Sequence, residues 1–99
     1  MEDKSKRTSG VYVLAHPVRL AIIDVLKKKK KAYIAQIAKE LDLSERLISF
    51  HLSILSTTGL VESEYGLSNP TKNPPRAVRY YHITPKVDKV LKEFVETLK

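Results

Sequence analysis

Three patterns in this 99-residue chain predict a mainly α-helical domain with a small β-hairpin. Two short amphipathic stretches, residues 34–41 and 45–57, are joined by Asp42-Leu43-Ser44. Two β-favouring stretches, residues 60–65 and 77–84, flank a loop with three prolines and two asparagines. Apolar residues then recur at intervals of three and four from Val87 to Leu98. Two helices across a tight turn, followed at once by a hairpin with a basic tip, make a winged helix-turn-helix. One further helix is expected at each end.

The bulk numbers are those of one domain with a modest core, assigned to residues 10–99. Hydrophobic residues make up 42% of the chain, and the formal net charge is +7 from 18 Lys+Arg against 11 Asp+Glu. A basic balance in a small domain favours an anionic partner, nucleic acid first. The absence of cysteine excludes disulfides and thiolate metal sites. No apolar run approaches the roughly 20 residues that span a bilayer, and the first ten residues lack a signal-peptide core. A cytoplasmic protein without membrane contact is expected. One Met, one Gln, two Asn and no Cys in a Lys/Glu-rich chain point to a thermophile.

In chain order, residues 1–9 are charged, have nothing to bury and read as a flexible basic arm. Val11 to Ala15 is apolar and helical in character. His16-Pro17 restarts the helix, with His16 as its cap and Pro17 at the position where a missing N–H does no harm. That helix runs to about Lys28 and buries Val18, Ala21, Ile22, Val25 and Leu26, leaving Arg19 and Asp24 off the stripe. Lys27 to Lys31 is a run of five lysines. It is either a solvated end that complements the helix dipole or a neighbour of a phosphate backbone. Ala32-Tyr33-Ile34 reads as a tiny strand.

Ile34, Ile37, Ala38 and Leu41 share one helical face, as do Ile48, Leu52 and Leu55. Between these helices, Asp42 tolerates a left-handed backbone, Leu43 plugs the corner and Ser44 caps the second helix. Gly59 ends that helix. The hairpin tip, residues 66–76, carries Lys72 and Arg76, and Arg79 follows on the strand, with no acid from Gly66 to Arg79. Thr84-Pro85 signals the last helix. Its charged face pairs Lys89 with Glu93 and Lys92 with Glu96, four apart. Its apolar stripe is longer than its own core needs, and it meets a partner helix, packs back on its own domain, or does both.

Taken together, HPVRLAIIDVL (16–26), IAKELDLSERLISFHLSILSTTGLVES (37–63) and RYYHITP (79–85) resemble the ArsR-type winged-helix transcriptional repressors. The spacing of Ser49, His51, Leu52, Leu55, Gly59, Leu60 and Val61 is the most specific part, and the likeness spans about residues 12–98. It implies a homodimer on a palindromic double-stranded DNA site, with a recognition helix from Ser44 to Thr57 and a basic wing over residues 66–79 on the backbone. DNA contacts would come from Ser44, Glu45, Arg46, Ser49 and Phe50 on the helix and from Lys72, Arg76 and Arg79 on the wing. Phe50 touches a thymine methyl or lies half-buried under the wing. Dimer contacts would come from Val11, Leu14, Val87, Val90, Leu91, Phe94, Val95 and Leu98 on the first and last helices.

The chain departs from the family where Lys or Arg often stands at Ser53 and Ser56. Its recognition helix is near neutral, which predicts binding led by backbone contacts and steep in salt. A protein-interaction module and a nonspecific architectural DNA binder remain alternatives. The last fourteen residues hold no histidine, and His16, His51 and His82 form no ligand motif. No metal site, cofactor or catalytic set is expected, and the chain does not read as an enzyme.

Overall fold

The computed structural model describes residues 10–68 and 76–98. The expected arm at 1–9 and Lys72 lie outside these residues. Residues 10–14 are helical (α1). They are followed by α2 (Pro17–Lys29), β1 (Ala32–Tyr33), α3 (Ile34–Leu41), α4 (Glu45–Thr57), β2 (Val61–Leu67), β3 (Ala77–Ile83) and α5 (Lys86–Thr97). The fold is a winged helix-turn-helix: helices around a three-stranded antiparallel sheet of order β1-β3-β2. No helix among the described residues is long and apolar enough to cross a membrane.

Local chemistry explains most boundaries. The His16 imidazole accepts the Val18 N–H at 3.2 Å, with Pro17 opening α2. Gln36 Oε1 accepts the Tyr33 N–H at 3.1 Å and so starts α3. Asp42 ends α3 with φ 55° and ψ 47°, the left-handed conformation its short polar side chain tolerates. Ser44 Oγ accepts the Leu47 N–H at 3.1 Å and caps α4. Replacing such a cap with Ala typically costs about 0.5–2 kcal/mol. Gly59 turns the chain out of α4 at φ 77°, where a side chain would be strained.

The core is built on α4. Ile48, Leu52 and Leu55 point inward and meet Ile22, Leu26, Ile37, Leu60, Val61 and Val87, all almost fully buried. Each of the three contributes about 1.5–3 kcal/mol by burial, as an upper estimate. α2 buries Ile23 as well as the expected Ile22, Val25 and Leu26, because it packs against α3, α4 and the sheet at once. Arg19, expected off the stripe, is half-buried. Its guanidinium finds two acceptors across the helix junction.

The hairpin is longer than the sequence suggests. Gly66 belongs to β2, not to the loop, and pairs with Val78, while Leu67 pairs with Ala77. Ser68 N–H adds a bond to the Arg76 carbonyl at 2.9 Å. The Tyr80 ring lies against Gly66, where a Cβ would come within 3.0 Å of it, and Tyr80 Oη donates to the Leu67 carbonyl at 3.0 Å. Glycine is thus selected here by a ring rather than by a turn.

The tiny strand β1 pairs with β3, setting Ala32 opposite Tyr81 and Tyr33 opposite Tyr80. The lysine run is exposed throughout, and three of its side chains find partners at the surface. Lys27 reaches Asp88 at 3.6 Å, Lys28 reaches Asp24 at 3.1 Å, and the Lys31 ammonium lies 4.7 Å from the Tyr80 ring centroid. These exposed ion pairs are worth about 0–1 kcal/mol each. By contrast, the expected Lys89–Glu93 and Lys92–Glu96 pairs do not close. Thr84 receives the Lys86 N–H at 3.3 Å and gives its own hydroxyl to the Gly59 carbonyl at 2.7 Å, which ties α5 to the end of α4.

Candidate nucleic-acid interface

The inner face of α4 is fixed by the core, so its outer face is fixed too. Glu45, Arg46, Ser49, Phe50, Ser53, Ser56 and Thr57 all lie exposed on it. With 3.6 residues per turn they occupy one continuous sector. Ser49, Ser53, Ser56 and Thr57 line a groove whose far wall is the hairpin, with Val61, Ser63, Arg79 and Tyr81 and also Glu62, Glu64 and His82. This sector holds one acid and one base. Its remaining groups are small hydroxyls and one aromatic ring, the composition of a surface that can approach another polar surface closely.

Phe50 is 59% exposed, so the alternative that hides it under the wing does not hold. Its ring meets only the edge of its neighbour His51 among the described aromatics, at 5.1 Å.

The hairpin sorts its side chains by the period of two. Val61, Ser63 and Tyr65 stand opposite Ile83, Tyr81 and Arg79 on the face toward the helices. Glu62 and Glu64 alternate onto the other face with His82 and Tyr80, where Glu62 lies 3.5 Å from His82. The wing therefore presents its arginine on the helix side, while Glu62 and Glu64, although they alternate with it along the hairpin, still border the same groove. The Arg79 guanidinium stands 5.7 Å from the Tyr65 ring centroid and 5.9 Å from that of Tyr81. Two rings restrict a side chain that would otherwise sweep freely. Tyr65, 76% exposed, was not singled out in the sequence, although alternation along 61–67 sets it beside Arg79. Arg76 is exposed at the base of the loop.

The histidines are closer than their sequence separation implies. His16 and His51 rings lie 4.6 Å apart. His51 is almost fully buried, and its Nδ1 accepts the Arg19 Nε–H at 3.1 Å. Burial first, then His16 and Arg19, hold its pKa below the usual histidine value. His82 lies on β3, as its strand pattern requires.

The residues expected at a dimer seam divide into two groups. Leu14, Val87 and Val90 are buried in the chain's own core and have almost no surface to offer a second copy, which corrects their assignment. The reason is that α1 packs directly on α5, with a Cβ at Gly10 falling 2.9 Å from Val90 Cγ2. Val11, Leu91 and Phe94 are half-buried, while Val95 and Leu98 are 55% and 74% exposed. Tyr12, also exposed, lies on the same first helix.

Fold and site together define a winged helix-turn-helix protein. The chain belongs to the helix-turn-helix domain family, whose model matches residues 14–64. Among solved structures it is similar to a transcriptional regulator homologue of Pyrococcus horikoshii OT3, at 30% identity and a TM-score of 0.71, covering 99% of this chain and 91% of that one. It is similar also to NolR from Sinorhizobium fredii, at 26% identity and a TM-score of 0.72, covering 97% and 87%. The transcriptional repressor PagR of Bacillus anthracis matches at 25% identity and a TM-score of 0.70, covering 92% and 94%. No curated protein matches the chain.

Proposed function

We propose that the protein is a sequence-specific DNA-binding transcriptional regulator of the ArsR type, a cytoplasmic repressor acting as a homodimer on a palindromic site. One observation carries the reading: a capped helix with an exposed hydroxyl-rich face stands beside a wing that turns its arginine to the same side. In this arrangement α4 lies in the major groove. Arg46 and Ser49 meet base edges, Phe50 meets a thymine methyl, and Ser44 and Glu45 lie at the groove entrance. Arg76, Arg79 and Lys72 meet the phosphates. Similarity to transcriptional regulators supports the same reading. The exposed apolar side chains at the ends of α1 and α5 supply the contact between copies.

The two kinds of contact separate in one experiment. Changing Arg76 and Arg79 together to Ala weakens binding to all duplexes alike and reduces the slope of log affinity against log salt by about 2, at roughly 0.9 per phosphate contact. Changing Arg46 or Ser49 to Ala instead alters the preference between duplexes, by about 1–3 kcal/mol at the base each one reads. Fluorescence anisotropy at several salt concentrations measures both. If sequence preference survives both helix substitutions, α4 is not the reading element.

A further inference from the structure

Three helices meet at Arg19. Its Nε–H donates to His51 Nδ1 at 3.1 Å, and its Nη1 donates to the Val13 carbonyl at 3.2 Å. Arg19 lies in the first turn of α2, Val13 in α1 and His51 midway along α4. His51 is the one charged or polar residue buried among the described residues. Its neighbours on the helix include Ser49 and Phe50, both on the exposed face.

An arginine Nε–H can only donate, so this bond requires an unprotonated Nδ1 and places the single imidazole proton on Nε2. A second proton would set N–H against N–H and a positive ring beside a guanidinium. The charged or titratable groups acting on His51 are His16 and Arg19, both from the start of α2. α1 adds the Val13 carbonyl, bonded to Arg19, and α4 adds the uncharged Phe50 ring. No carboxylate among these groups offsets the added charge.

We propose that Arg19 is a positioning residue for the recognition helix, acting through neutral His51, and that protonation of His51 opens this junction and weakens DNA binding. The proposal rests on α4 being the DNA-reading helix. Its sign is diagnostic. Acid adds positive charge to the protein, and by itself that strengthens contact with phosphates. A loss of affinity in acid runs against that trend and requires a specific site. The lowered pKa of His51 keeps the junction closed at neutral pH and opens it only in acid.

The test is anisotropy binding to one selected duplex at fixed ionic strength, from about pH 7.5 to about pH 4.5, a window that reaches well below the ordinary histidine value because the His51 pKa is shifted downward. The wild-type chain is expected to bind at least about fivefold more weakly at the acid end, the lower range of measured couplings. His51→Gln keeps an acceptor for Arg19 but takes no proton, so it binds as wild type near pH 7.5 and loses the acid response. His16→Asn keeps a cap on α2 and retains the response. An acid loss unchanged in His51→Gln, or a wild-type affinity that only rises in acid, overturns the proposal.

An NMR titration of the free wild-type protein decides the junction without any variant. The Arg19 Nε–H and the α4 amide resonances are expected to move with the His51 ring. If His51 titrates while they stay fixed, the junction is not a switch. Failure to bind any duplex at any pH would defeat the DNA reading, and the same titration would still decide the junction.

Discussion

Replacing Val95 and Leu98 together with Asp leaves a folded chain that sediments as a monomer and binds a palindromic duplex about 10²–10⁴-fold more weakly. Both side chains are exposed, Val95 in the last turn of α5 and Leu98 at its cap, so two carboxylates there meet water in the isolated chain and disturb little of its packing. In a dimer seam the same carboxylates would be desolvated against apolar surface, which is costly. The loss on DNA follows because two linked half-sites bind with a high effective concentration, and a monomer gives that up. Phe94→Asp is a poorer probe, since Phe94 is half-buried against its own core and the change would also strain the fold. Sedimentation together with circular dichroism checks the result. A double variant that remains dimeric places the seam elsewhere.

Leu55→Ala is expected to destabilise the chain by about 2–5 kcal/mol, the usual range for a core leucine truncated in place. Leu55 is fully buried on the inner face of α4, and the chain passes its carbonyl to the Leu60 N–H at 2.9 Å where α4 gives way to β2. A cavity there loosens the recognition helix and the root of the wing together. Domains of this size have about 5–15 kcal/mol to lose, so the urea midpoint falls steeply while the slope stays the same. Ser53→Ala, on the exposed face of the same helix, serves as the control and changes stability within about 0.5 kcal/mol. Both are measured at one protein concentration, because self-association shifts apparent stability. A Leu55→Ala effect under about 1 kcal/mol would mean that α4 is not anchored as described.

What was legible in the sequence is what depends on neighbours along the chain. The cap at Ser44, the left-handed Asp42, the turn at Gly59 and the apolar spacing of α4 are local demands of backbone geometry, and each stands where its residue type requires. The hairpin ends were less legible. Gly66 reads as a loop residue until Tyr80, its neighbour across the sheet, is seen to fill the space a side chain would take.

The partner of the α5 stripe was not legible for a related reason. A periodic stripe shows that Val87 and Val90 are buried, but not whether α1 of the same chain or a second copy buries them. Arg19 was invisible as a junction residue because its partners, Val13 and His51, come from other helices. Tyr65 was missed because an exposed aromatic on a strand has no local signature until the register places Arg79 opposite it.

The central claim is that α4 and the wing together read a palindromic DNA sequence, and selection from a randomised duplex pool at two salt concentrations tests it most directly. The account predicts enrichment of a two-fold symmetric site whose half-sites lie about one helical turn, roughly 34–36 Å, apart. Tight binding without enrichment, or no binding at low salt, would contradict it.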